Sequence, residues 1–261
     1  VSNTTERPAE PAEPGSGAEP VVVPVVAPVV APRCPRGKAV AELARLRPTQ
    51  LTLGYIHVHH KMEVTQRHAD PEDQEALQRF MRRHRIKTVA GPGGELYIVD
   101  HHHWARAWLD LGYQHAPVRV LEDFSDLDAA AFWRRMRQLG HVHPYDEYGK
   151  RQGPKALPST VRSMRDDPYR SLAAFAREAG AYRKPDSAYG DFCWAGFLRK
   201  RVEQDLHSIA GFGLALAESI KLARSPRARR LPGYCGGPLE GKTGKPAKPL
   251  KTGKGKNGRA G

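Results

Sequence analysis

Three consecutive histidines, His101, His102 and His103, follow Asp100 at the end of the apolar run Tyr97-Ile98-Val99. The pattern predicts a buried strand that ends at Val99, with Asp100 at the N-cap of a helix over 101–111 that stops at Gly112. Free amides at a helix N-terminus attract anions, and imidazoles in that turn add hydrogen-bond donors or proton carriers. Such a turn suits a phosphate. The same residues could hold a divalent metal through Asp100. Successive helical residues point about 100° apart, so two of the histidines at most share one centre and another ligand must come from elsewhere. In the plain structural alternative Asp100 caps the helix, one imidazole packs inward and the others are solvated.

A second group follows Gly54: His57, His59, His60 and Lys61. A helix would place His57 and Lys61 on one face, whereas a strand would align His57, His59 and Lys61. Either presents Lys61 to an anion, and a polar helix face is the alternative. The stretch His141-Val142-His143-Pro144-Tyr145-Asp146-Glu147 reads first as a connection between helices and second as a cover over a site. Trp133, Trp194, Phe132, Phe197 and Phe212 fall at helical spacing, as core residues do. No phosphate-binding Gly-x-x-x-x-Gly-Lys loop, nucleophile elbow, His-Glu-x-x-His helix or zinc-finger spacing is present.

Short apolar runs at 51–53, 86–89, 96–99 and 118–121 alternate with helical stretches, one opened by Asp70-Pro71 and running to about His84, the other the histidine helix. Gly91-Pro92-Gly93-Gly94 between the second and third runs signals a hairpin. Residues 33–125 therefore read as a small α/β domain. Residues 126–235 read as a helical subdomain, with helices over 127–139, 159–164, 168–179, 193–206 and 213–223. Ser125 and Asp167-Pro168 are the expected starts, and Gly140 and Gly180 the expected stops. The whole is α+β. The flanks differ: residues 1–32 repeat Val and Pro with Glu, residues 236–261 alternate Lys, Gly and Pro, and both are expected to be disordered, the first extended and polyproline-like.

The chain has 261 residues and a formal net charge of +14, of which the middle, residues 33–235, carries +11. Positive charge thus belongs to the folded body as well as to the tail, and anionic partners follow, nucleic acid or nucleotide among them. No apolar run approaches the roughly 18 residues of a membrane span, so integral membrane association is not expected. Three cysteines, Cys34, Cys193 and Cys235, with no Cys-x-x-Cys pair, spell neither a disulfide framework nor a cysteine zinc site. Val1 fits an alternative initiation codon or a chain freed of a leader; the compartment stays open, with the cytoplasm favoured over export.

The run from Tyr97 to Gly112 resembles the ParB/sulfiredoxin superfamily, whose motif is a strand, then Asp-Gly-His-His-Arg or a near relative, then a helix ending in Leu-Gly. Asp100, His102 and His103 match, while His101 stands for the glycine and Trp104 for the arginine. The chain is most similar to the putative ParB-like nuclease family, in which Asp-His-His-His is itself a familiar variant. Leu46-Arg47-Pro48-Thr49-Gln50, Asp167-Pro168-Tyr169-Arg170-Ser171-Leu172 and Leu231-Pro232-Gly233-Tyr234-Cys235 extend the resemblance over about 45–235. The Gly-Glu-Arg-Arg nucleotide box of partition proteins is absent, and no cysteine lies between Cys34 and Cys193 for sulfiredoxin chemistry.

What the resemblance implies is phosphate handling. Phosphodiester hydrolysis, with Mg²⁺, leads; nucleotide-dependent phosphorylation of a small molecule such as free serine, with ATP, ADP or CTP, and non-catalytic DNA binding are the alternatives. Asp100 would hold metal or act as base, and His102 and His103 would contact phosphate oxygens or move protons. His101, Lys61 and Arg106 are the expected electrostatic partners of the phosphate, Lys61 and Arg106 on their spacing and not on a family motif.

Overall fold

A computed structural model describes residues 37–70, 73–185 and 189–237. The sequence expectations for 1–32 and for nearly all of 236–261 lie outside the described residues.

Gly37–Glu42 (β1) alternates half-buried and exposed side chains, the signature of an edge strand with one face on the core. Two very short strands, Arg47–Pro48 (β2) and Thr52–Leu53 (β3), precede Tyr55–Gln66 (α1) and Gln74–Arg83 (α2). Ile86–Ala90 (β4) and Leu96–Asp100 (β5) form the hairpin expected from the glycine-rich turn, and the apolar runs of both face the core. His102–Asp110 (α3) and His115–Asp123 (β6) complete a five-stranded mixed sheet in the order β1-β6-β4-β5-β2. β6 runs antiparallel to β1 and parallel to β4, and β2 runs parallel to β5. The fold is α+β.

Beyond the sheet lie Ala129–Gln138 (α4), the two-residue strand Arg165–Asp166 (β7), Pro168–Glu178 (α5), Gly190–Arg199 (α6) and Ile209–Arg224 (α7). β7 pairs in parallel with β3 as a separate two-stranded ribbon, which ties the helical half to the segment preceding α1.

Several expected boundaries move for local reasons. α2 opens at Asp73, whose carboxylate accepts from the Ala76 amide, and not at Asp70-Pro71. α4 is capped by Asp128, while Ser125 sits in a turn and donates its amide to Asp123. The helix expected over 159–164 is only a 3-10 turn at Val161–Ser163, because the chain turns extended at Met164 to enter β7. α6 begins at Gly190 and stops at Arg199, shorter at its C-terminal end than the expected 193–206.

Three apolar clusters hold the described residues together: one under the sheet around Leu43, Ile86, Ile98 and Trp108, one among α5, α6 and α7 around Leu172, Trp194 and Leu198, and one linking β4 to α4 through Val89, Phe132 and Met136. Full burial of each such side chain contributes about 1.5–3 kcal/mol. Phe132, Trp194 and Phe197 are buried, and Trp133 and Phe212 pack against the clusters, so these aromatics are core as expected. Among the described residues no helix is long and apolar enough to cross a membrane.

Candidate functional site

The turn between β5 and α3 departs from the expected cap. His101, not Asp100, is the N-cap residue, and it lies in the left-handed region at φ 71° and ψ 28°. This is the position where the family motif carries glycine, the residue without a Cβ penalty there. The strained backbone is held by its neighbours. Asp100 Oδ1 accepts from the His101 amide at 2.8 Å, Asp100 Oδ2 pairs with Lys87 Nζ at 2.7 Å, and His101 Nδ1 lies 2.7 Å from the Arg85 carbonyl. Burial pushes the Asp100 carboxyl up, but His101 and the Lys87 ammonium outweigh it and hold it below the usual carboxylate range.

His102 and His103 both point inward and both act as acceptors. His102, 2% exposed, accepts from the Thr49 amide through Nε2 at 3.3 Å and bonds the Ile98 carbonyl through its other nitrogen. Burial drives its pKa down to about 3. His103 Nε2 accepts from the Gly54 amide at 3.1 Å, and burial pushes it well below the ordinary histidine value. Two neutral imidazoles thus fasten residues 49–54 against α3. Gly54 suits the place, since a Cβ there would meet the Ser171 amide nitrogen at 2.4 Å.

The other predicted phosphate partners are engaged within the protein, and the His57 ring packs 4.7 Å from that of His103. The His57 stretch is helical, so His57 and Lys61 share a face as one of the two readings required. Lys61 Nζ lies 3.3 Å from Glu178 Oε1, and His57 Nε2 is 3.3 Å from the same atom. The His57 ring and Lys61 hold the Glu178 carboxyl at about 2 against the effect of its burial. Arg106 donates to Asp110 at 2.7 Å and to the Tyr55 hydroxyl at 3.1 Å. Lys61 stays close to the histidine helix, its ammonium 5.1 Å from the Trp104 ring centre and its charge among the causes that lower the His103 pKa.

What the 49–54 segment does reach is Arg170, on α5. Its guanidinium, 6% exposed, donates at 3.3–3.4 Å to Gln50 Oε1 and the Thr52 carbonyl and packs 3.7 Å from the Phe192 ring centre. No carboxylate among the described residues pairs with it; the largest compensation is the field of Asp167, whose own ion pair is with Arg199, followed by that of Asp191. Burial lowers the Arg170 pKa, and Arg170 in turn depresses His102, His103 and His143.

His143 comes from the loop after α4, which the sequence read first as a connection. That loop lies over the 49–54 segment instead: the His143 amide donates to the Thr49 carbonyl at 2.8 Å, and Gln50 and His143 form a parallel bridge. Its ring is 8% exposed and packs 4.1 Å from Phe192, and neither ring nitrogen has a hydrogen-bond partner. Burial drives its pKa to about 3. His143, Phe192 and Asp167 line a cleft of about 870 Å³ between the 142–151 loop and α6. Asp100, His102 and His103 do not line it.

The residues present do not fit a protein-held Mg²⁺ at Asp100. Both of its oxygens are engaged, and among the described residues no three His, Cys, Asp or Glu side chains gather as a metal ion requires.

Arg170 and Gln50 were named in the sequence only as parts of stretches carrying the resemblance. The missed signal for Arg170 is periodicity: it lies three and four residues before Ala173 and Ala174, on the buried face of α5.

A mixed sheet closed by an Asp-His-His-His turn defines a ParB/sulfiredoxin-like protein. A family model described as putative ParB-like nuclease matches residues 39–200, and the chain belongs to that family. Among solved structures, the chain is similar to protein Atu1540 from Agrobacterium tumefaciens, at 35% sequence identity over 78% of this chain and 100% of that one, with a TM-score of 0.69. No curated protein matches the chain.

Proposed function

We propose that this protein binds phosphate groups of nucleic acid in the cleft between the 142–151 loop and α6 and hydrolyses a phosphodiester there. One observation carries the reading: Arg170, a buried guanidinium without an ion pair among the described residues, does not itself line the cleft but packs against the Phe192 ring that does. A buried cation is costly unless an anion compensates it, and in a low-dielectric interior its attraction for a phosphate is large.

In this reading the histidine turn is positioning machinery. His102 and His103 hold the 49–54 segment, Gln50 holds Arg170, and Asp100 with Lys87 fixes the left-handed turn. His143 is the proton acceptor. Its neutral imidazole takes a proton from water as the water oxygen bonds to phosphorus, the phosphorus to leaving-oxygen bond breaks, and that oxygen takes a proton from solvent. A phosphate seated beside the ring raises the His143 pKa toward the working range.

The test is cleavage of end-labelled single-stranded and duplex DNA and RNA by the full chain, with and without divalent cations. Wild type is expected to cut at least one substrate, and Arg170→Met, if folded by circular dichroism, to lose both cleavage and most binding. Arg151→Gln, at the exposed cleft wall, checks the same field without touching the core and is expected to flatten the salt dependence of binding by about one phosphate contact. A homogeneous wild-type preparation that cuts none of these substrates would sink the hydrolytic assignment.

A further inference from the structure

The cleft contains more than a field for phosphate. Tyr145, Tyr189 and Phe192 present partly buried rings along it, and Tyr148 stands at its rim 70% exposed. Five cationic side chains line it against two carboxylates, and both carboxylates are satisfied within the protein. Asp167 pairs with Arg199 and caps α5 through the Tyr169 amide. Asp146 accepts from the Tyr148 and Lys150 amides and from Gln152 Nε2. The net field in the cleft therefore belongs to the cations. His143 lines the same cleft, more than nine-tenths buried and with neither ring nitrogen in a hydrogen bond. A buried polar group in that state is uncommon unless something else completes it.

We infer that the cleft is built for an unpaired nucleobase with its flanking phosphate, so that the nucleic acid this protein handles is single-stranded at the site. The inference rests on the phosphate reading above for the ligand class and for the cleft itself, and adds to it the tyrosine rings and the cationic wall. A base has two flat faces for the tyrosine rings, and its phosphate meets the cationic wall. In a duplex the base faces are covered by their neighbours, and an aromatic cleft finds nothing to stack on. The volume, about 870 Å³, lies at the upper end of small-ligand sites and accommodates a nucleotide unit.

The experiment is fluorescence anisotropy of the full chain in EDTA, so that no strand is cut, with a labelled single-stranded oligonucleotide, the same strand as a duplex, and the same strand with abasic sites. The intact single strand is expected to bind at least tenfold tighter than the duplex or the abasic strand. Tyr148→Ala, at an exposed side chain whose loss leaves the core intact, is expected to weaken the single strand about fivefold or more, the usual effect of losing one base-aromatic stack, and to leave the abasic strand unchanged. Displacement by AMP, ADP or ATP but not by ribose 5-phosphate would assign base plus phosphate as the recognised unit, and displacement by inorganic phosphate at equal concentration would overturn it. Equal affinity for intact and abasic strands would also overturn it. Base-dependent binding with no cleavage under any divalent condition would end the hydrolytic reading and leave this one standing; cleavage of duplex with no base dependence would do the reverse.

Discussion

His102 and His143 are both buried, both driven by burial to a pKa of about 3, and both lie within the field of Arg170. They differ in what their nitrogens meet. His102 has a backbone amide on one and a backbone carbonyl on the other, and His143 has no partner for either. A low pKa alone therefore does not separate a functional histidine from a structural one. Hydrogen-bond completeness separates these two: the first imidazole is part of the scaffold, and the second has bonding capacity left for a ligand.

The largest effect that tests this comparison is acid. A histidine of ordinary pKa 6.5 that falls to about 3 on folding leaves the folded state holding fewer protons than the unfolded chain between those values. Stability then rises with pH through that window; the penalty is absent above 6.5, grows as pH falls, and is complete below about 3. Each such group contributes up to about 1.4 kcal/mol per pH unit. His103, shifted in the same direction, adds to the slope. Denaturant midpoints measured from pH 8 to pH 4 are expected to be flat above pH 7 and to fall steeply below 6.5. His143→Leu should remove one proton's share of that slope, and a curve flat down to pH 4.5 in wild type would contradict the buried neutral state of both rings.

At pH 7.5 the same pair should separate. His102→Ala leaves the Thr49 amide unsatisfied and opens a cavity, which costs about 2–4 kcal/mol. His143→Leu removes an imidazole that has no partners to lose, and should leave stability unchanged or raise it by up to about 1 kcal/mol while abolishing ligand binding. Urea unfolding decides it. Equal losses for the two variants would erase the distinction drawn here.

Much of the scaffold was legible because it rests on local signals. Gly91-Pro92-Gly93-Gly94 announced the β4–β5 hairpin, and Asp167-Pro168 announced α5, with the Asp167 carboxylate on the Tyr169 amide as a capping residue should be. β1 was missed because its small, half-exposed residues give little apolar signal, and its place is fixed by pairing with β6, some eighty residues away. The site was legible only at its turn. Asp100 to His103 could be found from residue type and adjacency, but Arg170, Gln50 and His143 meet across about 20 to 120 residues of sequence, around a segment whose course is set by backbone bonds to two imidazoles. Lys61 and Arg106, picked out by spacing, pair with Glu178 and Asp110, partners that spacing alone did not show.

The smallest test concerns His101, where the chain departs from the glycine of its family motif. A non-glycine residue at φ 71° carries a penalty of about 1–2 kcal/mol relative to glycine, which histidine tolerates better than most and a β-branched residue tolerates least. His101 offsets part of this through the bond from its ring to the Arg85 carbonyl, a contact that glycine lacks. His101→Gly should therefore change stability by no more than about 1 kcal/mol, because strain relief and the lost bond oppose each other. His101→Val loses the bond and keeps the strain, and should fall about 1–2 kcal/mol below His101→Gly in urea unfolding. Neither variant touches the cleft, so both should bind single-stranded nucleic acid as wild type does once folded. A binding defect in His101→Gly at full stability would mean that the turn contacts the ligand directly, and would move His101 from the scaffold to the site.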